Sequence, residues 1–483
     1  MMTILLRIGG KAVPATGGAT FERRNPISDE VVTHAAAATV ADGAAACEAA
    51  AKAFPVWSAL GPNQRRALLL KAADRLEART NDFIERIGAE TGGTAPWAGF
   101  NAMLAAGMLR EAASLTTQVT GEVIPSDIPG SYAFSVRQPA GVVLGIAPWN
   151  APVILGVRAL ATPLACGNTV VLKASEICPA THSLIVEVLE EAGLPPGTVN
   201  LITNAPADAP RIVESLIAHP AVRRVNFTGS TKVGKIVSEI AGRHLKPALL
   251  ELGGKAPLVI LDDADLDAAV NAAAFGAFAN QGQICMSTER IVVDSKVADT
   301  FVSKLKAKAA GLPAGNPAEG NVVLGPLVSQ AAAAHIQNLV RNAEENGATI
   351  TLAPKVTHRT VVSAAIVDRV TPAMRLYSEE SFGPIVAIVR VNGDEEAIHV
   401  ANDTEYGLSA AVFSQNINRA LNVATRINSG ICHINGSTVA DEAQMPFGGT
   451  KASGYGRFGG KAGIAEFTDL RWITIETKPQ YPF

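Results

Sequence analysis

Cysteine is sparse in this chain and never falls in a bridging or ligating pattern. The five, Cys47, Cys166, Cys178, Cys285 and Cys432, are odd in number, scattered, and nowhere spaced as CxxC. That argues against a disulfide framework and fits reduced thiols in a cytoplasmic protein. The eight histidines never pair at a spacing such as HExxH, so no metal site is assigned. Aromatic residues make up only 5% of the chain and charged residues 18%, with a formal net charge of −3. Without a basic face or a stacking platform, no nucleic-acid partner is expected. Long hydrophobic runs are lacking too. The uncharged stretch from Pro139 to Val157 is broken by Pro148 and Pro152 and contains Asn150, so it reads as strand, loop and helix, not a membrane span. The opening MMTILLRIGG is too short an apolar run for an export leader. The expected partners are small molecules and further copies of this chain.

What is present is enough apolar residue for a large core, 48% of 483. GVVLGIA, TVVLKAS, GTVNLIT and AVRRVNF are short β-branched runs that alternate with helical segments such as ATHSLIVEVLEEAG. Such alternation demands crossover connections and a parallel sheet covered on both faces. The pattern resumes after Glu251 with APLVIL, RIVVD and PIVAIVRV. The fold class is therefore α/β, with two doubly wound domains. GEVIPSDIPGSYAFSVRQP and the tail LRWITIETKP fit neither alternation and read as an isolated β ribbon. The expected division places 1–118 and 140–251 in the first domain, 252–464 in the second, and 119–139 with 465–483 in the ribbon.

Four strand ends and one loop carry candidate chemistry. In FANQGQICMSTER, Cys285 follows Asn280, Gln281, Gly282 and Gln283, polar and small neighbours that leave a sulfur accessible and let its thiolate form. In LLELGGK, Glu251 stands between Leu250 and Leu252, where poor solvation raises a carboxyl toward general-base range; an edge-strand glutamate facing water is the alternative. GIAPWN leaves Asn150 at a helix start, either as an amide donor to an oxyanion or as a helix cap. FTGSTKVG sets Gly229 and Ser230 at another helix start, a phosphate cradle or a plain cap. VVLKASE places Lys173 and Glu176 at the carboxyl edge of the sheet, where ligands of open α/β sheets bind; surface residues are the alternative.

Together TVVLKASE, FTGS, ELGGK, NQGQIC, EESFGP and PFGGTKASGYGR resemble the aldehyde dehydrogenase superfamily, from RNPISDE near residue 24 to SGYGR near residue 457. The resemblance implies a Rossmann-like NAD domain and a catalytic domain. It implies that Cys285 is the nucleophile, Glu251 the base, and Asn150 the oxyanion donor with the backbone N–H of Cys285. Lys173 and Glu176 would hold the adenosine ribose, favouring NAD over NADP, and Ser230 the pyrophosphate. Ile146, Pro148, Trp149, Gly229 and Leu252 would also line the cofactor, with Glu380 and Phe382 on the nicotinamide-ribose side. One departure is near Ala332, where many relatives carry a cofactor-contacting glutamine. The ribbon would join subunits, giving a homodimer or tetramer.

The substrate is expected to be a small aromatic aldehyde. Ala151, Ile154, Leu155 and Arg158 are spaced for one helical face. By resemblance that face lines the aldehyde tunnel together with Phe447. Many relatives carry a bulky aromatic in place of Arg158; here its guanidinium would stack on the substrate ring and donate to an ortho hydroxyl, or else turn to the surface or a subunit contact. This favours 2-hydroxybenzaldehyde, with benzaldehyde, vanillin or a broad range as alternatives. A CoA-acylating relative would generally lack the base at Glu251, and a non-enzymatic structural relative would lack Cys285.

Overall fold

The computed structural model describes residues 1–477. Its larger sheet has eight strands, ordered Gly454–Tyr455, Ala248–Glu251, Val222–Thr228, Val142–Ile146, Thr169–Lys173, Val199–Ile202, Leu6–Ile8 and Lys11–Val13. The five from Ala248–Glu251 to Val199–Ile202 run parallel. Chain order reverses between Val142–Ile146 and Val222–Thr228, so a crevice opens beyond the ends of those two strands. Gly454–Tyr455 returns from far along the chain to pair with Glu251 and Leu250. The span 252–464 thus contributes an edge strand to the first sheet.

The second sheet has seven strands, Thr349–Leu352, Ala365–Asp368, Ile385–Val391, Thr288–Asp294, Ala256–Ile260, Ser409–Phe413 and Ile431–Ile434, parallel apart from the first. The α/β class read from the sequence is what the chain adopts. The uncharged segment that mimics a membrane span divides as expected, into the strand Val142–Ile146 and the helix Pro152–Ala165. Pro152 opens that helix at its first turn, where the missing N–H costs nothing. All fourteen of its residues are buried, which is why it carries no polar stripe. Among the described residues no helix is long and apolar enough to cross a membrane.

The ribbon pairs Thr468–Glu476 with Ser131–Pro139 along nine residues, and Val123–Ile124 adds a short third strand. Tyr132, Trp472 and Leu470 on it are 66%, 75% and 60% exposed, an apolar surface uncovered in the single chain. Residues 478–483 of the expected ribbon lie outside the described residues. A further three-stranded sheet, Met2–Ile4, Val31–Ala36 and Thr20–Arg24, was not anticipated. Strands of three, six and five residues are too short to show a period.

Candidate active site

Two cavities meet the expected residues. The first, of about 550 Å³, lies at the crevice of the eight-stranded sheet and is lined by Ile146, Pro148, Trp149, Lys173, Glu176, Gly229 and Ser230. Lys173 is buried and ion-paired to Glu176, whose Oε1 also accepts from Asn204 Nδ2 at 2.9 Å. The two are therefore a fixed unit at the sheet edge. Ser230 caps the helix Thr231–Arg243, accepting from the backbone N–H of Val233. Capping and an anion-facing helix start coexist at this residue.

Leu252, Glu380 and Phe382 stand apart from that cavity's lining. Leu252 packs against Gly234, where a Cβ would lie 2.3 Å from a Leu252 methyl carbon. Glu380 accepts from the backbone N–H of Gly254 at 3.0 Å, and burial pushes its carboxyl up to about 7. Phe382 meets Trp149 edge-on, centroids 5.9 Å apart, so the loop that carries Glu380 and Phe382 touches the wall of the first cavity. That loop is held from below. Glu289 accepts from the backbone N–H groups of Ser381 and Phe382 and from Lys255 Nζ at 2.7 Å. On the helix Gln330–Glu345 that carries Ala332, His335 Nε2 lies 3.4 Å from the carbonyl oxygen of Glu380.

The second cavity, about 360 Å³, contains Asn150, Ala151, Ile154, Leu155, Arg158, Cys285 and Phe447 together. The four positions chosen for helical spacing do share one wall. Asn150 does not cap its helix, whose cap position is Ala151 with no side-chain bond. Its Nδ2 instead donates to the carbonyl of Gln283 at 3.0 Å, leaving a second amide hydrogen near the thiol loop. Its own carbonyl accepts from Trp97 Nε1 and Asn280 Nδ2, which anchor the turn. Asn280, Gln281 and Gly282 all have positive φ, 47°, 57° and 71°, so the chain is coiled left-handed just before Cys285.

Cys285 is partly exposed while Cys47, Cys166 and Cys178 are buried. The expectation that its surroundings favour the thiolate needs correction. Burial, then the nearby Glu251 charge, push the thiol up to about 12, with Arg158 opposing. The polar groups before it in sequence do not offset this: Asn280 Nδ2 and Gln281 Nε2 donate to backbone carbonyls, and Gln283 Oε1 accepts from the backbone N–H of Val328.

Glu251 is buried, not an edge residue facing water, and neither carboxyl oxygen has a hydrogen-bond partner among the described residues. Burial raises its pKa well above 4.5, against the pull of Arg158 and Arg457. Arg158 is only 7% exposed, so the surface alternative does not hold. Its guanidinium lies over Phe447, 4.1 Å from the ring centroid, and pairs with Asp441. One face is thus stacked on a tunnel residue, where a substrate ring was expected.

Residues 13–473 match the aldehyde dehydrogenase family. The chain belongs to that family. It is 62% identical over 481 residues to a vanillin dehydrogenase of Pseudomonas fluorescens, covering 100% of this chain and 99% of that one. The crystal structure of a salicylaldehyde dehydrogenase from Pseudomonas putida G7, complexed with salicylaldehyde, superposes with a TM-score of 0.98 at 50% identity, covering all of both chains. A betaine aldehyde dehydrogenase from Staphylococcus aureus in complex with NAD+ gives 0.94 at 32% identity, covering 99% of this chain and 95% of that one. The expected enzyme class, aldehyde dehydrogenase with NAD as cofactor, is borne out by these matches.

Sequence reasoning missed Trp97, Asn280 as an anchor, Lys255, Glu289 and Asp441. None lies in a pattern with its partner: Arg158 and Asp441 are 283 positions apart. Only Glu289, a charged residue inside an apolar strand segment, gave a local signal.

Proposed function

We propose that this aldehyde dehydrogenase oxidises a hydroxylated aromatic aldehyde to the acid with NAD, in the cytoplasm and as a homodimer or tetramer joined through the ribbon. The observation that carries this reading is the single cavity that brings Cys285, Asn150 and Arg158 together between apolar walls. Segments 1–118 and 140–251 would form the cofactor domain and 252–464 the catalytic domain.

The crevice suits the cofactor: a helix start at Ser230 faces it, and the Lys173–Glu176 pair offers a donor and an acceptor for ribose hydroxyls. In the tunnel, Cys285 Sγ adds to the aldehyde carbon and gives up its proton as it does so. Glu251, whose two carboxyl oxygens have no partner among the described residues and whose charge is felt at the thiol, is the group available to take that proton. The free amide hydrogen of Asn150 and the N–H of Cys285 meet the oxyanion. NAD held in the crevice would supply the acceptor for the hydride that leaves as the oxyanion collapses. A thioester on Cys285 remains, and Glu251 removes a proton from the water that hydrolyses it.

Two hydroxybenzaldehydes compete as the substrate. The sequence favours 2-hydroxybenzaldehyde, which is salicylaldehyde, and a relative at 50% identity carries that name. The higher identity, 62%, is to a vanillin dehydrogenase. Vanillin carries its hydroxyl para to the aldehyde. NADH formation across a panel of acetaldehyde, benzaldehyde, salicylaldehyde and vanillin tests the reading. Aromatic aldehydes should give the higher kcat/KM, and a preference for acetaldehyde would remove it.

A further inference from the structure

The tunnel wall carries one ion pair, Arg158 with Asp441, and is otherwise lined by neutral groups, most of them apolar. The two side chains are 7% and 10% exposed. Arg158 Nη2 binds Oδ2 of Asp441, and the guanidinium is braced on Phe447. The other oxygen, Oδ1, is buried and has no partner among the described residues. A carboxylate with one oxygen withdrawn from water and left without a donor is under-satisfied, so the group gains from a further donor offered from the tunnel it lines.

We propose that Asp441 reads the substrate: the part of its carboxylate that lines the tunnel accepts the hydrogen of a phenolic hydroxyl placed meta or para to the aldehyde, while Arg158 holds the carboxylate in position. This rests on the aromatic-aldehyde reading above. A carboxylate accepts and does not donate, so it separates a ring O–H from a ring O–CH₃ of similar shape. The ion pair as a whole is neutral, which suits an uncharged phenol in an apolar channel. Helix geometry selects the ring position. The aldehyde carbon must sit between Cys285 and Asn150, just before the helix, and Arg158 lies eight residues beyond Asn150, roughly 12 Å along the axis. An ortho hydroxyl stays beside the aldehyde, at the Asn150 end. A meta or para hydroxyl points away from it, toward the pair.

The test compares kcat/KM for 2-, 3- and 4-hydroxybenzaldehyde with their methoxy counterparts, alongside benzaldehyde and acetaldehyde. The wild type should favour hydroxy over methoxy at position 3 or 4 by roughly tenfold, the scale of one charge-assisted hydrogen bond. Asp441→Asn turns an N–H₂ group toward the ring, so the ratio should fall to about one or invert. The double variant Arg158→Leu/Asp441→Leu, which strands no charge, should lose the ratio as well and carries the test if the single variant does not fold. An unchanged ratio in both variants, or a wild-type preference confined to the 2-substituted pair, overturns the proposal while leaving the aromatic reading intact. Faster turnover of acetaldehyde than of benzaldehyde overturns both.

Discussion

Lys255 and Glu289 form an ion pair with Nζ 2.7 Å from Oε2 and side chains 0% and 5% exposed. Glu289 spends its remaining acceptor capacity on the loop that carries Glu380 and Phe382. Glu289→Ala strands a buried cation and should cost about 3–5 kcal/mol of stability. It should also raise KM for NAD by freeing that loop. Adding Lys255→Met should restore the melting temperature and leave KM high. If both recover together, the pair holds only the fold.

Cys285→Ser should abolish dehydrogenation while NAD still binds, since an alkoxide is much harder to form than a thiolate. Steady-state kinetics and a cofactor titration check this. More than about a tenth of the wild-type kcat in the serine variant would be incompatible with Cys285 as nucleophile.

Glu251 carries two separable predictions. In Glu251→Gln a first-turnover burst of NADH should fall less than steady turnover if the carboxyl serves mainly the water step; equal losses would make it chiefly the acceptor of the thiol proton. Stability supplies the second. The folded pKa is raised well above 4.5, so the folded state favours the protonated form. Its contribution is present below the ordinary carboxylate range and is lost as pH rises toward the folded value. Glu251→Gln, neutral throughout, should therefore gain in melting temperature over the wild type as buffers go from mildly acidic to alkaline. A constant difference would exclude a buried charge there.

Glu176 should set cofactor choice. Its carboxylate, fixed by Lys173 and Asn204, would repel a 2′-phosphate. Glu176→Gln should narrow the preference for NAD over NADP in kcat/KM. Equal use of both cofactors by the wild type would count against the assignment.

The fold was legible where composition is strong: parallel strands such as Val142–Ile146 and Thr169–Lys173 are short β-branched runs buried on both faces. The N-terminal sheet was not, because three residues of Met2–Ile4 hold no period, and neither was the return of Gly454–Tyr455 to the first sheet. In the site, Cys285, Glu251 and Asn150 stand in local motifs, and the face from Ala151 to Arg158 follows from helical spacing alone. Asp441 and Glu289 acquire meaning only through partners that tertiary packing supplies. The burial of Cys285 beside the Glu251 carboxyl went unseen for the same reason. Sequence neighbours suggested polarity, whereas the folded surroundings decide the charge.

The left-handed coil at Asn280, Gln281 and Gly282 makes the nucleophile's perch a wound spring. Each non-glycine residue in that conformation costs about 1–2 kcal/mol. The latches lie on remote segments: Asn280 Nδ2 on the carbonyl of Asn150, Gln281 Nε2 on that of Pro326, and Gly282 so close to Gly383 that a Cβ would sit 2.1 Å from its carbonyl oxygen. A latch that slipped on warming would let the coil unwind toward ordinary backbone and swing the sulfur out of line, with both sheets still intact. Heat should silence this enzyme before it melts it, and the lag between lost turnover and lost circular dichroism measures the tension.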